Sequence, residues 1–324
     1  MPRLGIVGTF VWDTVWTLAD QAAGRPLETW GGMSFSLAAA AAARPAGWEV
    51  VPIAHVGADM VGAVHDFLET LGGIGPRGGI VPVDQPNNRV ELVYTDDARR
   101  GETLIGGVPG WGWDELEPRL EGLDALCVNF LSGWELDLPA AARLRGLSIP
   151  VYADLHSLFL GPPRADGPRL PRRLPRWEDW LRCFGAVQMN EDEYELLCGR
   201  RLEPGQRPDW VLGYGARAAF VTQGGAGVSY AADQAFPAGG GVQGAVELGH
   251  VPALPCEAGG DPTGCGDAWG ASAFCGLLGG LGVRRAVQRA NALAAVKMRH
   301  RGGSGLFEHL CAHRGEWDGG GPEG

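Results

Sequence analysis

The order of apolar and polar positions divides this chain into short strands and helices that alternate from end to end. Residues 4–7 are apolar and stop at Gly8, the pattern of a short buried strand. After Gly31-Gly32 an alanine-rich run predicts a helix over 34–43. Residues 50–56 read as another strand, and 61–71 as the helix that follows it. Between 89 and 105 apolar and polar residues alternate (Val90, Leu92, Tyr94), which predicts a half-exposed strand. Strands at 125–130, 149–153, 184–189 and 218–222 then alternate with helices at 138–144 and 191–198. Two long helices, 264–278 and 283–299, close the series. Such alternation predicts a mostly parallel sheet flanked by helices. The mixed segment 14–30 and the half-exposed segment 89–105 form a small β lid over one domain spanning 1–314. The Pro- and Arg-rich stretch 161–175 reads as a solvated loop, and 315–324, glycine-rich and acidic, as a frayed tail.

Composition narrows the function classes. With 324 residues, 45% apolar and 20% charged, the chain can bury a large core. Its net charge of -11 does not suit a nucleic-acid or anionic-membrane binder, which needs a basic face. No run approaches the roughly 20 apolar residues of a membrane span. The seven cysteines include no CxxC pair and no secretory leader precedes them, so they read as reduced thiols of a cytoplasmic protein. Lys297 is the single lysine. No GxxxxGK[ST] exists, which removes a P-loop enzyme, and the first turn after residues 4–7 lacks GxGxxG, which removes a Rossmann dehydrogenase. His309, Cys311 and His313 are spaced by two, which alternates them across a strand and leaves no fourth metal ligand.

The chemistry concentrates in Asp261-Pro262-Thr263-Gly264-Cys265-Gly266-Asp267, directly before the small-residue helix that begins Ala268-Trp269. A glycine turn opening a helix presents unbonded N–H groups and the positive end of the helix dipole. Together these make an anion site. An aspartate there, reaching past the anion, has the character of a general base for a hydroxyl. The bland alternative is a capped helix start without a ligand.

This run resembles the DTxGAGD signature of the ribokinase-like (PfkB) carbohydrate kinases, and further motifs follow in that family's order over nearly the whole chain. Asp13, in Gly8-Thr9-Phe10-Val11-Trp12-Asp13, resembles the aspartate that holds substrate hydroxyls, and Gly31-Gly32 the diglycine against which the sugar lies. Gly57-Ala58-Asp59-Met60-Val61-Gly62 matches a GxDxxG read as structural. Asn190-Glu191-Asp192-Glu193 resembles the NxxE that organises Mg²⁺ through water; alone it is also a capped acidic first turn. Thr222-Gln223-Gly224-Gly225-Ala226-Gly227 resembles the nucleotide loop, although tight hairpins use the same residues. Asn291 falls on the adenine-side helix, whose alanines also suit plain packing.

The resemblance implies a three-layer α/β/α fold with a mostly parallel central sheet and a small β lid. It implies ATP-dependent, in-line phosphorylation of a hydroxyl on a small sugar or sugar-like substrate. Asp267 is then the base, with the N–H groups of Gly264, Cys265 and Gly266 on the γ-phosphate. It further implies Mg²⁺, a potassium ion near Asp261, Thr263 and Ser304, and a homodimer formed through the lid. A nucleoside kinase of the same superfamily and a non-catalytic binding relative are the competing readings; retention of Asp267, Gly264 and Gly266 argues against the second. The sequence departs from the pattern at Cys265, usually alanine, where a thiol at a helix N-terminus is a candidate for reactivity. It departs again at Met33-Ser34-Phe35-Ser36, where Ser36 stands for a hydroxyl-reading asparagine. Phe35, Trp12 and Trp16 then either line an aromatic pocket or fill the lid core.

Overall fold

The computed structural model describes residues 1–95, 100–164, 168–202, 205–238, 244–255 and 260–319. Its main sheet has nine strands: β1 (Arg3–Val7), β4 (Glu49–Gly57), β5 (Ile80–Val83), β8 (Ala125–Asn129), β9 (Val151–Asp154), β10 (Ala186–Asn190), β11 (Ala218–Thr222), β12 (Val228–Asp233) and β13 (Val246–Val251). They lie in the order β13-β12-β11-β10-β9-β8-β1-β4-β5. All neighbours from β5 to β11 are parallel, whereas β11-β12 and β12-β13 are antiparallel hairpins. The alternation in sequence foreshadowed the parallel part and not this antiparallel edge.

Alternate residues of the central strands feed two cores. Leu4, Ile6, Ala125 and Cys127 face a layer containing the Met33–Ala43, Cys265–Leu278 and Val283–Lys297 helices. Val7, Leu126 and Val128 face the opposite layer with Leu144, Leu181 and Leu197. This is the period-two signature of a sheet covered on both faces. Every residue of Met33–Ala43 is buried, and that burial selects alanine: larger side chains would not fit between the sheet and the 265–278 helix.

The second sheet has four strands, β2 (Phe10–Trp16), β3 (Leu27–Gly32), β6 (Asn88–Tyr94) and β7 (Arg100–Ile105), ordered β3-β2-β6-β7. It starts earlier than the expected lid, at Phe10, and a short helix, Leu18–Ala23, sits inside the 14–30 segment. Residues 96–99 of the 89–105 segment lie outside the described residues. Val11, Val15, Val90, Leu92, Tyr94 and Leu104 give this sheet its own small core. Asp59 of the GxDxxG run anchors it: Oδ1 accepts the Asn87 N–H at 2.8 Å and Oδ2 pairs with Arg89 at 3.0 Å.

Two further expectations change. Residues Arg314–Trp317 form a helix rather than the start of a frayed tail, because Trp317 is buried with Arg289 4.9 Å over its ring; 320–324 lie outside the described residues. His309 and Cys311 lie on a helix (Leu306–Ala312) and His313 is its C-cap, so a two-residue spacing does not alternate there as on a strand. Among the described residues no group of three or more His, Cys, Asp or Glu is placed to hold a metal ion, and no helix is long and apolar enough to cross a membrane. Six of the cysteines are free thiols, and Cys256 lies outside the described residues.

Candidate active site

The C-terminal ends of the parallel strands bring the motif residues to one edge, the place where open α/β sheets bind ligands. The 265–278 helix begins there with Gly264 at its N-cap, φ +75°. This left-handed conformation is one that an L side chain enters at a cost, and a Cβ on Gly264 would come within 2.3 Å of the Phe35 ring. Phe35 therefore lies beneath the glycine turn and is not a pocket wall. Trp12 packs edge-on against Trp30 at 5.2 Å, and Trp16 donates to Glu91 at 3.1 Å, so both belong to the second sheet.

Asp267 stands in the first turn of the helix. Its Oδ1 accepts a hydrogen bond from Asn129 Nδ2 at 2.8 Å, and the same amide nitrogen reaches Ser36 Oγ at 2.5 Å. Asn129 thus ties the anticipated base to the anticipated substrate-side serine. Its own Oδ1 is buried without a partner, although the residue is only 1% exposed. Gln188 holds the turn from below: its Nε2 donates to Gly266 O at 3.0 Å, and its Oε1 accepts from Tyr152 at 2.7 Å.

On the substrate side, Asp13 is buried on β2 with its carboxylate against the Gly31 backbone; a Cβ on Gly31 would stand 1.9 Å from Oδ2. Gly32, φ +58°, passes so near Thr9 O that its Cβ would sit 2.4 Å away. Glu135, also buried, gathers the N–H groups of Leu131, Ser132 and Gly133 and the hydroxyl of Thr9, which fixes the loop after β8. Asp13, Gly31, Gly32 and Ser36 do not line the large cavity beside Asp267; of the four, Ser36 is connected to Asp267 through Asn129.

That cavity measures about 880 Å³ and runs from Asp267 past Gly264 to Thr222, Gly224, Gly227 and Asn291. Val228 and Leu254 make its far end apolar, and Ala294 and Met298 line it beside the 261–267 turn. Gly227 is required there because a Cβ would meet Val251 O at 2.1 Å. Asn291 lines the cavity, but its amide is committed to the protein: Oδ1 accepts from Trp269 at 2.7 Å and Nδ2 donates to Pro252 O at 3.0 Å. Its role is to hold the wall. Cys265 is half-buried, its Sγ 3.7 Å from Asp261 O and 3.9 Å from Ala294 O.

The near end of the cavity is acidic. Asn190 and Glu193 form a reciprocal capping box on the Glu191–Cys198 helix, so the capped-turn reading of NxxE holds. Both residues also face the cavity, together with Asp154, Glu191 and Asp192. Burial, with the nearby charges of Asp267 and Glu193, pushes the Asp154 carboxyl up to about 8. Burial opposes charge on the His156 ring, but the charge of Glu193 and a hydrogen bond to it outweigh this and bring His156 to about 10. With 44% of its side chain exposed, His156 remains in reach of solvent, which screens that attraction. Asp154 and His156 were not singled out in the sequence; the signal was polar residues at the C-terminal end of a buried strand.

The donor set fits the implied groups. A hydrated Mg²⁺ keeps several waters and needs one or two carboxylates plus phosphate oxygens, which Asp154 and Glu193 can complement. The cavity's size and apolar far end suit a nucleotide whose phosphates lie at the 264–267 turn.

A family model described as pfkB family carbohydrate kinase matches residues 167–309. No curated protein matches the chain in sequence. Among solved structures, a Burkholderia thailandensis nucleoside kinase in complex with inosine superposes with TM-score 0.73 at 16% identity, covering 99% of this chain and 100% of its own. A pyrophosphate-dependent kinase in the ribokinase family gives 0.72 at 19%, covering 96% and 99%. A Thermotoga maritima ribokinase gives 0.68 at 17%, covering 96% and 99%. The chain therefore has a ribokinase-like α/β fold, and its residues 167–309 match the pfkB family carbohydrate kinase model.

Proposed function

We propose that this chain is a kinase that transfers the γ-phosphoryl group of ATP to a hydroxyl of a small sugar-like acceptor, with Asp267 as general base. The observation that carries the reading is a carboxylate in the first turn of a helix whose glycine N-terminus is built to receive an anion, at the mouth of a nucleotide-sized cavity.

Such transfers demand positioning and charge stabilisation more than covalent chemistry. The main-chain N–H groups of Gly264, Gly266 and Asp267 meet the charge that develops on the transferring group, as an oxyanion hole does, whereas that of Cys265 donates to Pro262 O at 3.1 Å. Asp267 takes the proton of the attacking hydroxyl. Asn129 Nδ2 holds one oxygen of that carboxylate and so fixes the plane in which the proton is received. The buried Oδ1 of Asn129 is a ready partner for a second acceptor hydroxyl. Asp13, set against Gly31, orients the remaining hydroxyls. Glu193 and Asp154 would hold a hydrated magnesium ion, which would supply positive charge to offset that of the phosphates.

The apolar far end of the cavity supports a nucleotide donor over pyrophosphate, which would leave those walls untouched. Phe35 is committed beneath the glycine turn, so the aromatic argument for a nucleoside acceptor loses one of its members and a polyol gains. The test is ADP release from Mg-ATP across sugars, polyols, sugar acids and nucleosides, with Asp267→Asn in parallel. Acceptor-dependent turnover that the substitution lowers by about 10²–10⁴-fold is expected for loss of a general base. An Asp267→Asn variant as active as the parent would sink the mechanism.

A further inference from the structure

The residues on which the resemblance places a potassium ion do not fit one. Asp261 Oδ1 accepts the Thr263 N–H at 2.9 Å, and Oδ2 accepts the Gly302 N–H at 3.2 Å and lies 3.4 Å from Lys297 Nζ. The Thr263 hydroxyl is bonded to Tyr94 at 3.0 Å. Ser304 Oγ bonds Thr29 at 3.1 Å and accepts the Trp30 N–H at 3.2 Å, so it serves the second sheet. A positive charge is already present: Lys297 Nζ donates to Asp261 O at 3.0 Å and stands 5.2 Å from the Phe35 ring centroid.

Lys297 is the single lysine of the chain and is 0% exposed. A charge so buried persists only where partners replace its water, and these partners are specific. One is the main-chain carbonyl at the start of the Asp261–Asp267 turn. Another is the ring that supports Gly264 from below. The ammonium therefore touches the turn at its first residue and, through Phe35, at the residue that opens the helix.

We propose that Lys297 is a built-in cation that holds the Asp261–Asp267 turn in its anion-receiving shape, in the place where a monovalent metal ion would otherwise be bound. The inference rests on the proposed function only in reading that turn as the donor-phosphate turn. Lys297 is a positioning residue, since its ammonium reaches the turn and not the reacting atoms. Its consequence is that the protein needs no potassium, and that removing the ammonium creates a need for it.

The experiment compares the parent, Lys297→Ala and Lys297→Met in KCl, NH₄Cl and tetramethylammonium chloride at equal ionic strength. It reads melting temperature and ADP release. For the parent, neither reading should depend on which cation is present. For Lys297→Ala, turnover in tetramethylammonium should fall on the order of 10²-fold, as for a misplaced reacting group. Potassium or ammonium should restore turnover in part and raise the melting temperature, whereas a merely structural loss would not respond to cation identity. Lys297→Met, whose longer side chain fills the space and excludes an ion, should stay low in every salt. Activation or stabilisation of the parent by potassium over tetramethylammonium would overturn the proposal, and would do so even if neither variant folds. Variants as active and stable as the parent in every salt would overturn it equally. If no acceptor gives turnover with the parent, the kinase reading fails, while the melting comparison still decides the role of Lys297.

Discussion

Gly264→Ala offers the most direct measure of how the glycine turn works. At φ +75° an alanine pays roughly 1–2 kcal/mol for the left-handed conformation. Its Cβ would also lie 2.3 Å from Phe35 Cγ, where carbon atoms in contact keep roughly 3.5–4.0 Å, so the ring must retreat by about 1 Å. Phe35 is 2% exposed in a helix buried along its whole length, with Lys297 beside it, and has little room to move. Overpacking of this kind costs roughly 1–3 kcal/mol, which brings the total to about 2–5 kcal/mol. At roughly 2–4 °C per kcal/mol, melting should fall by about 4–20 °C. Turnover should drop by on the order of 10²–10³-fold, the loss typical of one displaced oxyanion donor. Calorimetry and ADP release read the two effects. Adding Phe35→Leu should relieve the clash and not the backbone strain, so the double variant should melt higher than the sum of its parts predicts. A Gly264→Ala protein that melts and turns over like the parent would refute the argument.

Three further outcomes rest on neighbouring side chains of the site. Asn129→Ala removes a hydrogen bond to a carboxylate worth roughly 1.5–3 kcal/mol, so kcat/KM should fall about 10- to 100-fold. Asn129→Asp sets a like charge beside Asp267 and should move the acid limb of the pH–rate profile upward; an unchanged profile would remove Asn129 from the site. For Asp154 the folded-state value of about 8 lies above the ordinary 3.8, so the native protein holds a proton that the unfolded chain has released. Folded stability is therefore lost as pH rises through this window, and Asp154→Asn should melt higher than the parent near pH 9 but not near pH 4. Equal melting at both pH values would show that the carboxyl is not buried as described.

Much of the parallel sheet and the glycine turn was legible because periodicity and turn residues are local signals. The antiparallel β12-β13 edge was not, since Val228–Asp233 is wholly buried and shows no alternation to mark it. Asn129 closes an otherwise apolar strand with no motif around it, and its role comes from Asp267, 138 residues away. The single lysine could be read from the sequence, but not its direction: a helix position says nothing of a carbonyl 36 residues earlier. Trp317 carried a usable signal, since a tryptophan among glycines and acids seldom stays in solvent. The NxxE run illustrates a different limit, because capping a helix and facing a hydrated ion call for the same two side chains.

Burial of Lys297 also changes how the molecule meets amine chemistry. On the folded chain, acylating dyes and imidoesters find no accessible lysine amine, because the single one is buried. Amine-to-amine crosslinkers then have no pair of lysines to join within a molecule. An acyl group can reach Lys297 only when the 283–297 helix opens, so its rate of appearance there clocks that opening without a probe being added.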